Sequence, residues 1–205
     1  QPRFRTGFID RFLTTCEAFD VPAGILMNKA DLASRKDHAV IAELRELYTA
    51  LGYPFLVCSA TTGEGLETVR EHLKDRISAV IGPSGAGKSS LLNAADPSLD
   101  LQTGEISSYS GKGRHTTTFA RLLGLSFGGM IADTPGIREL GLVDIQAQEL
   151  SLYFPEMRAV SAGCRYPNCT HEHEPGCAVM DAFDRGEIDP DRYRSYLAIL
   201  ESIRT

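Results

Sequence analysis

Residues 82–89 read Gly-Pro-Ser-Gly-Ala-Gly-Lys-Ser, a spacing suited to wrapping backbone around phosphate. Glycines bring the chain close to the anion, successive N–H groups point at it, and a helix starting at the lysine adds its positive end. Gly82, Pro83, Ser84, Gly85, Ala86 and Gly87 would form the cradle, with Ser90 just beyond it. Lys88 would reach the terminal phosphates and assist their chemistry, and the Ser89 hydroxyl would ligate Mg²⁺. Such a loop does not choose the base. Asn28-Lys29-Ala30-Asp31 can do so. A carboxylate at Asp31 accepts from guanine N1–H and its exocyclic amine, a donor pair that adenine lacks. Asn28 would tie the loop together, and the Lys29 stem can pack over the base plane.

Asp133-Thr134-Pro135-Gly136 has the form D-x-x-G after an apolar run. Asp133 would hold Mg²⁺ through water, and the Gly136 N–H would sense a γ-phosphate. Between this motif and the phosphate loop lies Arg114-His115-Thr116-Thr117-Thr118. A hydroxyl from this segment can complete the Mg²⁺ shell, and Thr117 is the favoured ligand; the alternative is a hydroxyl-rich surface loop. Ile137 follows Gly136 and cannot polarise water. His115 is the candidate to position or activate the attacking water, against the alternative of a solvated loop histidine.

A third constellation is Cys164-x4-Cys169-x-His171-x5-Cys177. Three thiolates and one imidazole leave no open position and suit a structural, tetrahedral Zn²⁺. The segment has few apolar residues of its own, so the metal would supply folding free energy. His173 is a rival ligand on spacing alone. Cys16 and Cys58 lie on apolar faces and read as buried core thiols.

Positioning these groups falls to alternating strands and helices. Apolar runs at 23–27, 54–58, 77–81, 119–125 and 129–132 read as strands. Helical periodicity appears over 8–19, 40–51 and 66–73, and a helix begins near Lys88. This alternation predicts an α/β domain with a mainly parallel sheet over residues 1–150. Residues 151–205 would form a small metal-stapled helical domain, after a helix near 146–153. Asp189 is the N-cap and Pro190 the first residue of its last helix, with Tyr193, Tyr196, Leu197 and Leu200 on one face.

Composition narrows the classes. Of 205 residues 42% are hydrophobic and the net charge is −6, which excludes global disorder and a generally basic nucleic-acid grip. No apolar run approaches the ~18 residues of a membrane span, so no membrane partner is expected. The chain begins at Gln1 and is read as a fragment. Odd, clustered cysteines point to a reducing compartment.

The base motif at 28 precedes the phosphate loop at 82, a rotated order. In that order, with Gly113-Arg114-His115-Thr116-Thr117-Thr118 and the Cys/His knot after Asp133-Thr134-Pro135-Gly136, the chain resembles the circularly permuted GTPases, and within them the ribosome small subunit-dependent GTPase A family. The resemblance implies a permuted P-loop domain. It implies that Ser59-Ala60 offer a backbone N–H to guanine O6, that histidine at position 115 is shared, and that His171 rather than His173 ligates zinc. It also implies an N-terminal OB-fold absent from this chain and GTP hydrolysis stimulated by the small ribosomal subunit and its rRNA. A cytoplasmic monomer is expected. Two rivals are a nucleotide kinase, suggested by the glycine-rich loop, and a zinc-stapled scaffold that binds GTP without turnover, suggested by Ile137.

Overall fold

The computed structural model describes residues 6–102, 121–133 and 145–204. In chain order the elements are α1 (Thr6–Ala18), β1 (Ile25–Met27), α2 (Arg35–Ala50), β2 (Phe55–Val57), α3 (Leu66–Leu73), β3 (Ile77–Ser78), α4 (Lys88–Ala95), β4 (Arg121–Gly124), β5 (Met130–Asp133), α5 (Pro155–Ser161), α6 (Ala178–Asp184) and α7 (Pro190–Arg204). Every apolar run named above contributes a strand. α2 ends where Gly52 takes a left-handed φ of 91°, a conformation that carries no penalty without a Cβ. Asp189 caps α7 through its Oδ1, which accepts from the N–H groups of Asp191 and Arg192.

One element departs from the periodicity. The expected helix near 146–153 is a 3₁₀ turn over Leu150–Tyr153. Pro155 sets where that turn ends: it disfavours the α conformation at the residue before it, and Phe154 is extended at φ −113°, ψ 105°. The helix therefore restarts as α5, with Pro155 in its first turn.

The described residues fall into two compact units. The first lies within Ile25–Arg45 and Phe55–Glu139. β1 and β2 pair in parallel, Ile25 opposite Phe55 and Met27 opposite Val57. β3 pairs in parallel with β5, and β4 lies antiparallel on the other edge of β5. α4 serves two apolar clusters with consecutive leucines. Leu91 packs with Cys58, Leu66 and Val69, and Leu92 packs with Leu125 and Ile131.

The second unit lies within Arg3–Gly24, Glu46–Pro54 and Leu140–Thr205. In it α1 and the end of α2 join the C-terminal helices. Its core holds Phe154, Met157, Val179, Tyr196 and Leu200, all fully buried. At its centre Arg192 is only 1% exposed. Arg192 Nη1 donates to Asp10 Oδ1 of α1 at 2.7 Å, while Nε and Nη2 grip Glu156 of α5 at 2.7 and 3.1 Å. Its guanidinium carbon stands 4.5 Å from the Phe154 ring centroid. Tyr48, from the end of α2, donates its hydroxyl to the same Asp10 oxygen. Burial pushes the Asp10 carboxyl above its usual range, and the adjacent guanidinium opposes that shift. One cation thus pins three helices and the end of a fourth. Among the described residues no helix is long and apolar enough to cross a membrane.

Arg192→Met would strand two buried carboxylates, and unpairing a buried ion costs about 3–5 kcal/mol. Urea unfolding followed by circular dichroism should show a loss of that size. Adding Asp10→Asn and Glu156→Gln should restore part of it; a single-variant loss below about 1 kcal/mol would mean the network carries little.

Candidate functional site

The phosphate loop leads into α4 at Lys88, with Gly85 and Gly87 left-handed at φ 78° and 86°. A Cβ on Gly87 would sit 2.7 Å from Asn28 Nδ2. Glycine here is therefore what lets the base loop close on the phosphate loop. Asn28 Nδ2 donates to the Ala86 and Gly87 carbonyls at 3.2 and 3.3 Å. Lys29, itself left-handed at φ 68°, donates its Nζ to Gly85 O at 2.6 Å. Asp31 Oδ1 accepts the Ser59 hydroxyl at 2.5 Å, and Ser59 Oγ accepts in turn from the N–H groups of Thr61 and Thr62. The two loops bound one cavity of about 280 Å³, lined by Asn28, Lys29, Ala60, Ser84, Lys88 and Ser89 among others. Lys88 Nζ donates to Gly82 O and Pro83 O at 2.8 and 3.0 Å. Partial burial pushes this amine below its usual pKa, a shift that a phosphate alongside would oppose. The cavity thus offers the Lys88 cation and the glycine-rich backbone of the phosphate loop, a set suited to phosphate, while the Asp31 carboxylate is held by Ser59 in the loops beside it.

The second constellation is built in the other unit. The ligand atoms of Cys164, Cys169, His171 and Cys177 lie within 4.8 Å of one another. His171 Nδ1 is 3.6 Å from Cys164 Sγ and 3.3 Å from Cys177 Sγ, and these two sulfurs are 4.0 Å apart. Tetrahedral zinc bonds would set sulfurs about 3.8 Å apart and sulfur and nitrogen about 3.6 Å apart, so the donor set fits one such ion. Burial pushes the Cys169 thiol up to about 12 and the Cys177 thiol upward; a dication supplies the charge that three thiolates need. Cys177 also caps α6, its Sγ accepting from Met180 N–H at 3.4 Å. His171 is left-handed at φ 59°. Glu174 holds that turn by accepting from the Thr170 hydroxyl and the N–H groups of Thr170, Glu172 and His173, which keeps its carboxyl well below the usual range. From α7, the Tyr193 and Tyr196 hydroxyls donate to His171 O and Thr170 O at 2.6 and 2.9 Å.

The family model for the RsgA GTPase matches residues 1–143. The chain belongs to the RsgA GTPase family. It is 48% identical over 200 residues to the small ribosomal subunit biogenesis GTPase RsgA of Bacteroides fragilis, covering 98% of this chain and 64% of that protein. The protein of the same name from Porphyromonas gingivalis is 49% identical over 203 residues, with the same coverage. Among solved structures, YjeQ from Thermotoga maritima superposes with a TM-score of 0.84 at 39% identity, covering 99% of this chain and 67% of that one. YloQ, described as a circularly permuted GTPase, gives 0.80 at 35% identity, covering all of this chain and 64% of that one. The fold is that of the circularly permuted GTPases. The chain spans about 64% of the length of the curated RsgA relatives it matches.

Of the expected RsgA site residues, Asn28, Lys29, Asp31, Ser59, Ala60 and the 82–90 loop converge in one unit. His115, Thr117 and Gly136 lie outside the described residues, as does the side chain of Asp133, whose backbone ends β5. His173 stands outside the Cys/His cluster and is exposed. The Ala60 N–H expected for guanine O6 is donated to Asn28 Oδ1 at 3.1 Å, so a base carbonyl would have to share or displace that bond. Motif reading passed over Thr61, which lines the cavity; its place directly after Ser59-Ala60 was the available signal. It also passed over Glu174, visible only as an acid three residues past His171.

Metal removal should be informative. Elemental analysis should find one equivalent of bound zinc per chain. Stripping it with a strong chelator should lower helicity and expose the core around Val179 and Cys177. A metal-free protein with unchanged circular dichroism and melting would remove the structural role.

Proposed function

We propose that the whole protein hydrolyses GTP to GDP and phosphate while serving maturation of the small ribosomal subunit. The observation that carries this reading is the Asn28 amide joined to the Ala86 and Gly87 carbonyls, because it brings the loop that carries Asp31 up against the phosphate loop, and Asn28 and Lys29 of that loop line the same cavity. The Bacteroides and Porphyromonas relatives, small ribosomal subunit biogenesis GTPases by name, support the ribosomal setting. Asp31 reads the guanine edge, with Asn28, Lys29, Ser59 and Ala60 shaping its surroundings. The backbone of 82–87 cradles the phosphates, Lys88 neutralises their charge, and Ser90 extends the helix end behind them. Mg²⁺, held by Ser89 and Thr117 and through water by Asp133, would offset charge on the β- and γ-phosphates. The Gly136 N–H senses the γ-phosphate, and His115 positions the attacking water. The Cys/His cluster binds one structural Zn²⁺. Division of labour follows the chain, with nucleotide chemistry in 1–150 and the metal-stapled helices in 151–205. The protein works as a cytoplasmic monomer that docks on the small subunit and its rRNA.

The test is phosphate release from GTP and ATP by the full-length protein, with and without small ribosomal subunits. GTP-selective release that rises strongly with subunits is expected, and His115→Ala should lower the stimulated rate. Selective binding without turnover would favour a scaffold, and phosphoryl transfer to a nucleoside monophosphate would favour a kinase.

Asp31→Asn gives a sharper check on the base. It removes charge-assisted hydrogen bonds worth about 1.5–3 kcal/mol each, so GDP affinity should fall by about 100-fold. Xanthosine diphosphate carries a carbonyl where guanine has its amine, and should gain affinity. Equal loss for both nucleotides would place Asp31 away from the base.

A further inference from the structure

Cys58 follows β2 and is fully buried. Its backbone is held on both sides by the base loop: its N–H donates to Met27 O at 2.8 Å, and its carbonyl accepts from Ala30 N–H at 3.0 Å. Behind it stands Gly65, left-handed at φ 71°, whose added Cβ would meet Cys58 Cα and Cβ at 3.2 Å. The thiol therefore has a set position. It points at Asn28 Oδ1, 3.8 Å from Sγ.

That oxygen already accepts the Lys29 N–H at 2.8 Å and the Ala60 N–H at 3.1 Å. These three partners of Oδ1 are donors, and both partners of Nδ2 are carbonyls. A flipped amide would face its NH₂ toward these donors and its oxygen toward the phosphate-loop carbonyls. We infer that Cys58 is a positioning residue for base recognition: its thiol, together with two backbone N–H groups, locks the Asn28 amide in the orientation that grips the phosphate loop. Thiol–oxygen bonds are weak. This one acts where it matters, because Asn28 joins the base loop, the Ser59-Ala60 loop and the phosphate loop. Burial pushes the Cys58 thiol up to about 11, so it stays a neutral donor at any working pH.

The inference rests on the proposed reading of this cavity as a guanine nucleotide site. The experiment follows release of a fluorescent GDP analogue from full-length wild type, Cys58→Ala and Cys58→Ser, with melting temperatures measured without nucleotide. Cys58→Ala should release GDP about three- to tenfold faster. Cys58→Ser keeps a donor and should stay within about twofold of wild type. Unchanged release from Cys58→Ala, or equal acceleration in both variants tracking a common fall in melting temperature, would reduce Cys58 to core packing. Wild type that fails to bind the analogue would overturn the nucleotide reading itself, a separate outcome.

Discussion

Asn28 places one amide where three loops meet. Its Nδ2 holds the phosphate loop at Ala86 O and Gly87 O, and its Oδ1 gathers the Lys29 and Ala60 N–H groups. An amide is suited to this because it carries donors and an acceptor on opposite sides of one rigid plane. Neither a carboxylate nor an ammonium could satisfy both sets. The constraint propagates outward. Gly87 must lack a Cβ so that Asn28 can approach, and its left-handed turn then sets the start of α4 at Lys88.

α4 is fixed from behind as well as from its tip. Leu91 and Leu92 enter separate apolar clusters. Arg70 of α3 donates its Nε to Ala95 O at the helix end, satisfying a carbonyl that the helix leaves open. α3 begins just past the Ser59-Ala60 loop, so the helix that follows one half of the site caps the helix that begins the other. Local rigidity of this kind is what holding a base and a phosphate at a set separation requires.

The second unit solves a different problem. Its cysteine-rich segment cannot bury enough apolar surface to fold alone. α7 supplies the missing order in one stretch of sequence. Arg192 faces Asp10 and Glu156, and Tyr193 and Tyr196 tether the backbone at His171 and Thr170. Phe154 meets the Tyr196 ring edge-on with centroids 5.4 Å apart. Buried charge, aromatic packing and metal-ligand geometry thus converge on a single helix.

Much of this was legible from residue types and spacing alone. The phosphate loop, Asn28-Lys29-Ala30-Asp31 and the Cys/His pattern depend on local chemistry, and spacing along the chain largely preserves such information. The strand and helix alternation was equally readable, since apolar periodicity reports burial directly. What spacing could not carry were contacts between residues far apart in sequence. Arg192 with Asp10 spans 182 positions, and nothing near either residue announces the other. The Glu174 turn was hidden for another reason: beside the Thr170 hydroxyl, its partners are backbone N–H groups, which have no signature in side-chain identity. The sequence alone determined which chemistry the protein carries, because motifs are short-range. Only the tertiary structure decided that α1 joins the unit holding the Cys/His cluster, that Ala60 turns its N–H to Asn28, and that His171 rather than His173 meets the thiols. Each of those outcomes depends on how long-range packing orients a group that the chain order leaves free.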